Sequence, residues 1–178
     1  MKYFFIGILL LVSFNLHSKN YAFVNLNFLI ENNNEYVIFL ESLNIKESKY
    51  KIELDETKEY LNKLKNEIDT SSLILSENEL EKKINEYNLL LQSFNEKIKL
   101  FNDNIENYLI EARKLILFNI RNILIEIAEK NNYDFILDET NIIIVDNNLD
   151  ISKEVLLLLN ETNIQLEDLL KKWDFDWV

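Results

Sequence analysis

The stretch LEKKINEYNLLLQSFNEKIKLFNDNIENYLIEARKL, residues 80–115, decides the fold class. Apolar side chains recur in it at alternating steps of four and three residues, and the positions between them are mostly Asn, Glu, Lys and Asp. The apolar series is Leu80, Ile84, Tyr87, Leu91, Phe94, Ile98, Phe101, Ile105, Tyr108, Ala112 and Leu115. A sustained repeat of about 3.5 residues with polar flanks is typical of a coiled-coil seam, so we predict one long helix here.

A second heptad series precedes this one, over residues 33–68. Its positions are Tyr36, Leu40, Leu43, Glu47, Tyr50, Leu54, Thr57, Leu61, Leu64 and Ile68. If the chain folds back near Ile74, every position of this series lies opposite an apolar position of the other. Two unrelated heptads rarely share this phase, so residues 33–115 are predicted to form an antiparallel coiled-coil hairpin within one chain.

The tip of the hairpin is predicted near residues 69–76. Ser76 and Glu79 have the spacing of a capping box, which places the start of the second helix there. Leu73, Ile74 and Leu75 form an apolar run on the turn. Two readings of this run stay open: it contacts a client protein, or it caps the hairpin locally.

The segments on either side of the hairpin are predicted to form a small β-rich body, residues 19–32 and 116–160. Strand-forming runs occur at residues 21–26 (YAFVNL), 133–137 (YDFIL) and 142–145 (IIIV). The fold class is therefore α+β, mostly α, with a long hairpin on a small β-body.

This body is expected to assemble with other copies. Short strands are marginal by themselves, and residues 115–128 are apolar on nearly all faces, so neighbouring chains are their natural cover. The residues predicted to form the oligomerisation body are Phe23, Val24, Leu26, Leu117, Leu124, Phe135, Leu137, Ile143 and Val145.

Composition excludes most enzyme classes. The 178 residues include no cysteine or proline, and the single glycine and histidine, Gly7 and His17, lie near the start. A glycine-rich phosphate loop, a zinc site, a thiol nucleophile and a Ser-His-Asp triad are therefore not expected, nor is a cofactor. The carboxylates of Asp138 and Glu139 fall in an ordinary predicted turn. The net charge of −12 argues against nucleic acid as a partner.

The N-terminus resembles an export signal. Lys2 precedes an apolar run from Tyr3 to Val12, which is too short to span a bilayer and has the length of a signal-peptide core. We expect residues 1–18 to be a signal peptide cleaved after Ser18. The alternative is an uncleaved membrane anchor.

The order of these segments resembles the Skp (OmpH-like) family of periplasmic chaperones. In that family an "I-A-V-V-N-hydrophobic" strand opens the mature chain, and Ala22-Phe23-Val24-Asn25-Leu26 stands in its place here. The family closes with a "Y-D-hydrophobic-V-hydrophobic-D" strand and a "D-I-T-x-E-V" helix start. The matching residues are Tyr133, Asp134, Leu137, Asp138, Asp150, Ile151, Ser152, Glu154 and Val155.

The resemblance implies an ATP-independent periplasmic holdase. Three chains would form a homotrimer whose helical tentacles enclose a cavity, and unfolded outer-membrane β-barrel proteins would be held there without aggregating. Contact with a membrane surface is left open as a further partner. The rival interpretation is a structural coiled-coil protein, periplasmic or membrane-anchored, that bridges components of the cell envelope.

Two features depart from the family pattern. The best-known members are basic, whereas residues 46–112 contain 10 basic and 15 acidic residues, so no basic lipid-binding site is carried over. Residues 161–178 extend past the matched region and alternate Trp173, Phe175 and Trp177 with acidic residues. This acidic aromatic extension is interpreted either as docking on the body or as entering the cavity or pairing with a partner.

Overall fold

The structure is a computed structural model that describes residues 19–72, 74–142, 144 and 146–171. Its elements in chain order are β1 (Tyr21–Val24), α1 (Leu26–Glu31), α2 (Asn34–Ser71), α3 (Glu77–Asn131), β2 (Phe135–Asp138), two 3-10 turns (Glu139–Asn141 and Asn147–Leu149), α4 (Ser152–Glu161) and α5 (Glu167–Lys171). The predicted signal peptide, Leu73, Ile143, Val145 and the end of the aromatic extension lie outside the described residues.

Helices α2 and α3 form the predicted antiparallel hairpin. The ring of Tyr50 stacks on that of Phe101 with centroids 4.1 Å apart and planes 15° from parallel. The Tyr50 hydroxyl donates a hydrogen bond to the Lys97 carbonyl at 3.1 Å. These contacts lie within one helical turn of the predicted pairing, and the predicted hairpin is confirmed.

Polar side chains begin and end the helices in a chain almost without glycine. The Asn33 side chain accepts a hydrogen bond from the Tyr36 backbone N–H at the start of α2 (3.0 Å). At the start of α3 the Glu79 carboxylate accepts from both the backbone N–H and the hydroxyl of Ser76, which confirms the predicted capping box. Helix α3 ends at Asn131, and the next residue, Asn132, has a left-handed backbone (φ 54°) where glycine is the usual choice.

The strands of the body are shorter than predicted. Strands β1 and β2 pair in parallel, in register from Tyr21 opposite Phe135 to Val24 opposite Asp138. The predicted strand over residues 21–26 was too long. The Asn25 side chain accepts a hydrogen bond from the Phe28 N–H (2.8 Å) and caps α1, so Leu26 is the first residue of a helix.

The third predicted strand is not supported by the residues described within it. Ile142 and Ile144 belong to no strand, and their neighbours Ile143 and Val145 lie outside the described residues. In place of a third strand, β1 gains one isolated parallel bridge, from Phe23 to Asp150. The described body is therefore mostly helical, with one short strand pair.

The core of the body is built on the last five turns of α3. Its buried face carries Ile116, Ile120, Ile123 and Ile127, which pack with β1, α1 and α4. The segment that appeared apolar on all faces therefore buries one face inside its own chain. Apolar side chains on the opposite face of this part of α3 remain exposed.

The C-terminal extension packs on the base of the hairpin. Ile164, Leu166 and Leu170 are buried in the same core. The Glu35 carboxylate accepts hydrogen bonds from the backbone N–H groups of Ile164 (2.7 Å) and Leu166 (3.3 Å). Farther along α2, the Lys46 ammonium donates to the Leu170 carbonyl at 3.0 Å. Trp173, Phe175 and Trp177 follow outside the described residues.

Candidate client-binding hairpin and assembly surface

Helix α2 carries apolar side chains on the side away from the hairpin seam. Ile38, Ile45 and Ile52 follow one another at seven-residue intervals, two positions after the seam residues Tyr36, Leu43 and Tyr50. Ile45 and Ile52 are 59% and 61% exposed. Soluble coiled coils place polar residues at this outer position, so we call the three isoleucines the outer stripe and treat them as a candidate binding surface.

The half of the hairpin toward the tip is thinly packed. Beyond the Tyr50–Phe101 stack, the fully buried side chains on the described part of α2 are Leu61 and Leu64. On α3, Phe101 is the first fully buried residue after the N-terminus of the helix. Because few apolar side chains are removed from water there, we expect this part of the hairpin to have low local stability and to open without unfolding the body.

The tip presents one strongly exposed apolar residue. Ile74 is 85% exposed, whereas Leu75 is half-buried and Leu73 lies outside the described residues. The backbone N–H groups of Ile74 and Leu75 both bond the Ser71 carbonyl at 3.0 Å, which closes the turn at the end of α2. Ile74 therefore projects into solvent.

An ion pair and a hydrogen bond to a carboxylate link the outer surfaces of the two helices. The Lys83 ammonium binds the Glu67 carboxylate at 2.7 Å, and this hydrogen bond raises the pKa of Lys83. Nearby, the Tyr60 hydroxyl donates to the Glu86 carboxylate at 3.2 Å, which raises the pKa of Tyr60. Such exposed contacts contribute little stability.

Tyrosines inside the seam are perturbed by burial. Burial raises the pKa of Tyr50 to about 12, and the nearby Glu53 carboxylate adds to the effect. Burial also raises the pKa of Tyr108. Both phenols therefore stay neutral throughout the physiological range and act as packing groups with a polar end.

The predicted body residues divide into two groups. Phe23 and Val24 are buried within the chain itself, and Leu26, Leu117 and Leu124 are half-buried on the same core. The remaining described members, Phe135 and Leu137, are exposed on β2, where the Tyr21 ring stacks on that of Phe135 with centroids 5.6 Å apart. Ile143 and Val145 lie outside the described residues.

Two further exposed apolar residues lie on α3 and are not among the predicted body residues. Phe118 and Ile125, one heptad apart, are 62% and 48% exposed on the face opposite the buried isoleucines. Their spacing inside the apolar run was the signal that could have found them. In the described part of the chain β2 pairs on one edge alone. The exposed side chains of Phe135 and Leu137 on β2, and of Phe118 and Ile125 on α3, are therefore candidates for contacts between chains.

Within the described residues, no group of three or more metal-ligating side chains comes together. A search of the same residues finds no helix long and apolar enough to cross a membrane. Asp138 and Glu139 have local roles. The Asp138 side chain accepts from the Thr140 N–H at 3.2 Å and caps the 3-10 turn that Glu139 begins.

Comparison with known proteins identifies the family. Residues 20–159 match the sequence model of the OmpH-like outer membrane protein family. The fold is similar to a crystal structure of a candidate OmpH-like outer membrane chaperone from Caulobacter crescentus, with a TM-score of 0.72 and 12% identity, over 80% of this chain and 85% of that one. A comparison with curated proteins finds no match. The chain belongs to the Skp (OmpH-like) family, which comprises periplasmic chaperones and not enzymes.

Proposed function

We propose that this protein is an ATP-independent holdase, which binds unfolded outer-membrane β-barrel proteins between the hairpins of a homotrimer and keeps them from aggregating. The observation that carries the proposal is a long hairpin with exposed apolar side chains at its outer position and tip, on a body of the OmpH-like family. The exposed body residues supply the surface through which the three chains assemble.

Binding in such a cavity depends on many weak contacts. Ile45, Ile52 and Ile74 each present an isolated apolar side chain, which suits an unfolded chain with alternating apolar residues better than a folded partner. Three hairpins around one client give a high effective concentration, so weak contacts add up to strong retention. The thinly packed distal half lets the cavity adjust to the size of the client. Release follows when the client reaches a more stable folded state in the membrane, by mass action.

Changing the charge of the hairpin tests whether clients are held by electrostatic or by apolar contacts. Glu77, Glu79, Glu81 and Glu86 lie in the first three turns of α3, next to the tip. If binding is mainly apolar, changing all four to Lys leaves client affinity and its salt dependence unchanged. A matched variant with Gln at the same positions removes the charge and keeps the capping box at position 79, and a Lys variant that retains Glu79 separates charge reversal from loss of the cap. A strong rise in affinity in the Lys variant alone would show that electrostatics control binding.

The holding activity is tested by diluting an unfolded barrel protein from urea into buffer without nucleotide. Light scattering should stay low in the presence of residues 19–178 and rise in their absence. A structural protein of the envelope would leave the client to aggregate. That outcome would overturn the proposal and favour the bridging role.

A further inference from the structure

Residues 160–171, which we call the strap, are held against the beginning of α2 by polar contacts. The Asn160 side-chain oxygen accepts a hydrogen bond from the Asn34 backbone N–H at 2.9 Å. The Glu35 carboxylate adds the two bonds to the strap described above. At the other end of the strap the Lys46 ammonium donates to a backbone carbonyl, about 18 Å farther along the helix than Asn34. The strap therefore follows α2 over about three helical turns.

The strap also packs on both helices of the hairpin. Its short helix α5 lies against α2 and against α3. Leu166 and Leu170 of the strap are buried in the same core as Phe39 of α2 and Ala112 of α3. Phe39 stands outside the predicted seam series and is nevertheless fully buried in this core. The strap therefore ties α2 to α3 at the place where the hairpin leaves the body.

The position of the strap determines which length of the hairpin can bend. Helix α3 continues without a break from the hairpin into the body core, so a tilt of the hairpin relative to the body must bend this helix beside the strap. The part of α2 beyond Lys46 is about 38 Å long, whereas the whole of α2 from Asn34 is about 56 Å long. A bend of the same angle therefore moves the tip about 1.5 times farther if it begins at Asn34.

We propose that the strap braces the root of the hairpin, so that the hairpin bends beyond Lys46 and not where it leaves the body, and that this brace limits how far the hairpins spread around a client. The second part rests on the proposed holdase function. A braced root favours small clients over large ones, because a wide cavity requires the tips to move apart. The strap follows residues 20–159, which match the family model, so the brace is formed by residues that this model does not cover.

The orientation of the hairpin root relative to the body tests the brace. The chain has no cysteine, so Lys153→Cys, at an exposed position of α4, accepts a lanthanide tag at a single site. Residual dipolar couplings of the backbone amides then show which segments keep a fixed orientation relative to the tagged body. In the full chain we expect the couplings of residues 34–46 to fit the alignment of β1 and α4, and those beyond the Tyr50–Phe101 stack to be scaled down.

Detaching the strap should move the start of the bend toward the body. Leu166→Ser with Leu170→Ser removes two buried anchors of the strap and should scale down the couplings of residues 34–46 to the level of the distal hairpin. Leu157→Ser with Leu158→Ser is the matched control, because both leucines are exposed on α4, and it should leave these couplings unchanged. Alanine at positions 166 and 170 is the milder alternative if the serines disturb the body.

Couplings of residues 34–46 that still fit the alignment of the body in the strap variant would overturn the brace. The limit on client size is measured separately, by diluting a small and a large unfolded barrel protein from urea and following light scattering. The strap variant should hold the large client at a lower chaperone concentration than the full chain does, and the small client at the same concentration. An unchanged requirement for the large client would overturn the limit. Failure of both proteins to hold any client would refute the holdase function, while the couplings, measured without client, would stand.

Discussion

The Tyr50–Phe101 stack should control the stability of the outer half of the hairpin. Phe101 is 4% exposed, and its ring lies flat against Tyr50 at 4.1 Å. Truncating a buried Phe to Ala costs about 3 kcal/mol or more, part of which is the loss of the aromatic pair. Beyond this point α2 has only Leu61 and Leu64 fully buried among its described residues, so little packing remains to compensate.

The expected result of Phe101→Ala is therefore local. Hydrogen exchange of amides in residues 51–72 and 77–99 should accelerate about 100-fold, which corresponds to about 3 kcal/mol in the free energy of local opening. Amides of β1 and β2 should exchange at the wild-type rate, because the body core is built from other residues. Leu100→Ala is the matched control, since Leu100 is the neighbouring residue and is exposed, and it should change exchange little.

Two results would refute this reasoning. Equal acceleration in the body and the hairpin would show that the molecule opens as one unit and that the hairpin has no stability of its own. An effect of Leu100→Ala as large as that of Phe101→Ala would show that burial in the seam does not determine the stability of the outer half.

Three further predictions follow from single side chains. Because burial raises the pKa of Tyr50 to about 12, the neutral phenol adds stability below pH 10, and this stability is lost as pH rises through 12. In denaturant titrations the wild type should lose up to about 2 kcal/mol of unfolding free energy relative to Tyr50→Phe across that range. Parallel plots of unfolding free energy against pH for the two proteins would contradict this. Glu35→Ala should accelerate amide exchange at Ile164 and Leu166 by about 10-fold or more, because a charged hydrogen-bond acceptor is lost, while exchange in β1 stays constant. Phe118→Glu should lower the solution mass measured by light scattering, and an unchanged mass would remove α3 from the assembly surface.

The hairpin could be predicted from sequence because its information is local and repeated. Two heptads in matching phase fix which faces meet, and the Ser76–Glu79 pair fixes where the second helix begins. The prediction was less accurate near the body. The seam series contains Leu40, but the structure buries Phe39 there and leaves Leu40 partly exposed, because α2 packs on the body core as well as on α3.

The predicted body was less accurate because the same short segment can favour both a strand and a helix. Residues 21–26 favour a strand by composition, yet one hydrogen bond from the Phe28 N–H to Asn25 is enough to start a helix at Leu26. The position of the C-terminal extension depends on Glu35, which is 129 residues away from its partner Ile164. No local pattern encodes a contact at that separation.

The candidate site was only partly visible in the sequence. The run Leu73–Leu75 was identified at the tip, and the structure shows Ile74 strongly exposed. The outer stripe was missed, although Ile38, Ile45 and Ile52 stand at regular seven-residue intervals. Whether an apolar side chain at an outer position is exposed depends on which elements pack beside it, and the described part of the structure leaves Ile45 and Ile52 exposed.

The central claim is that a trimer of this chain holds an unfolded barrel protein. The most direct measurement is the solution mass of residues 19–178 by light scattering on a sizing column, with and without an unfolded outer-membrane barrel protein diluted from urea. We expect three times the mass of a single chain, and an increase by one client mass when the client is present. A monomer or dimer from which the client precipitates would contradict it.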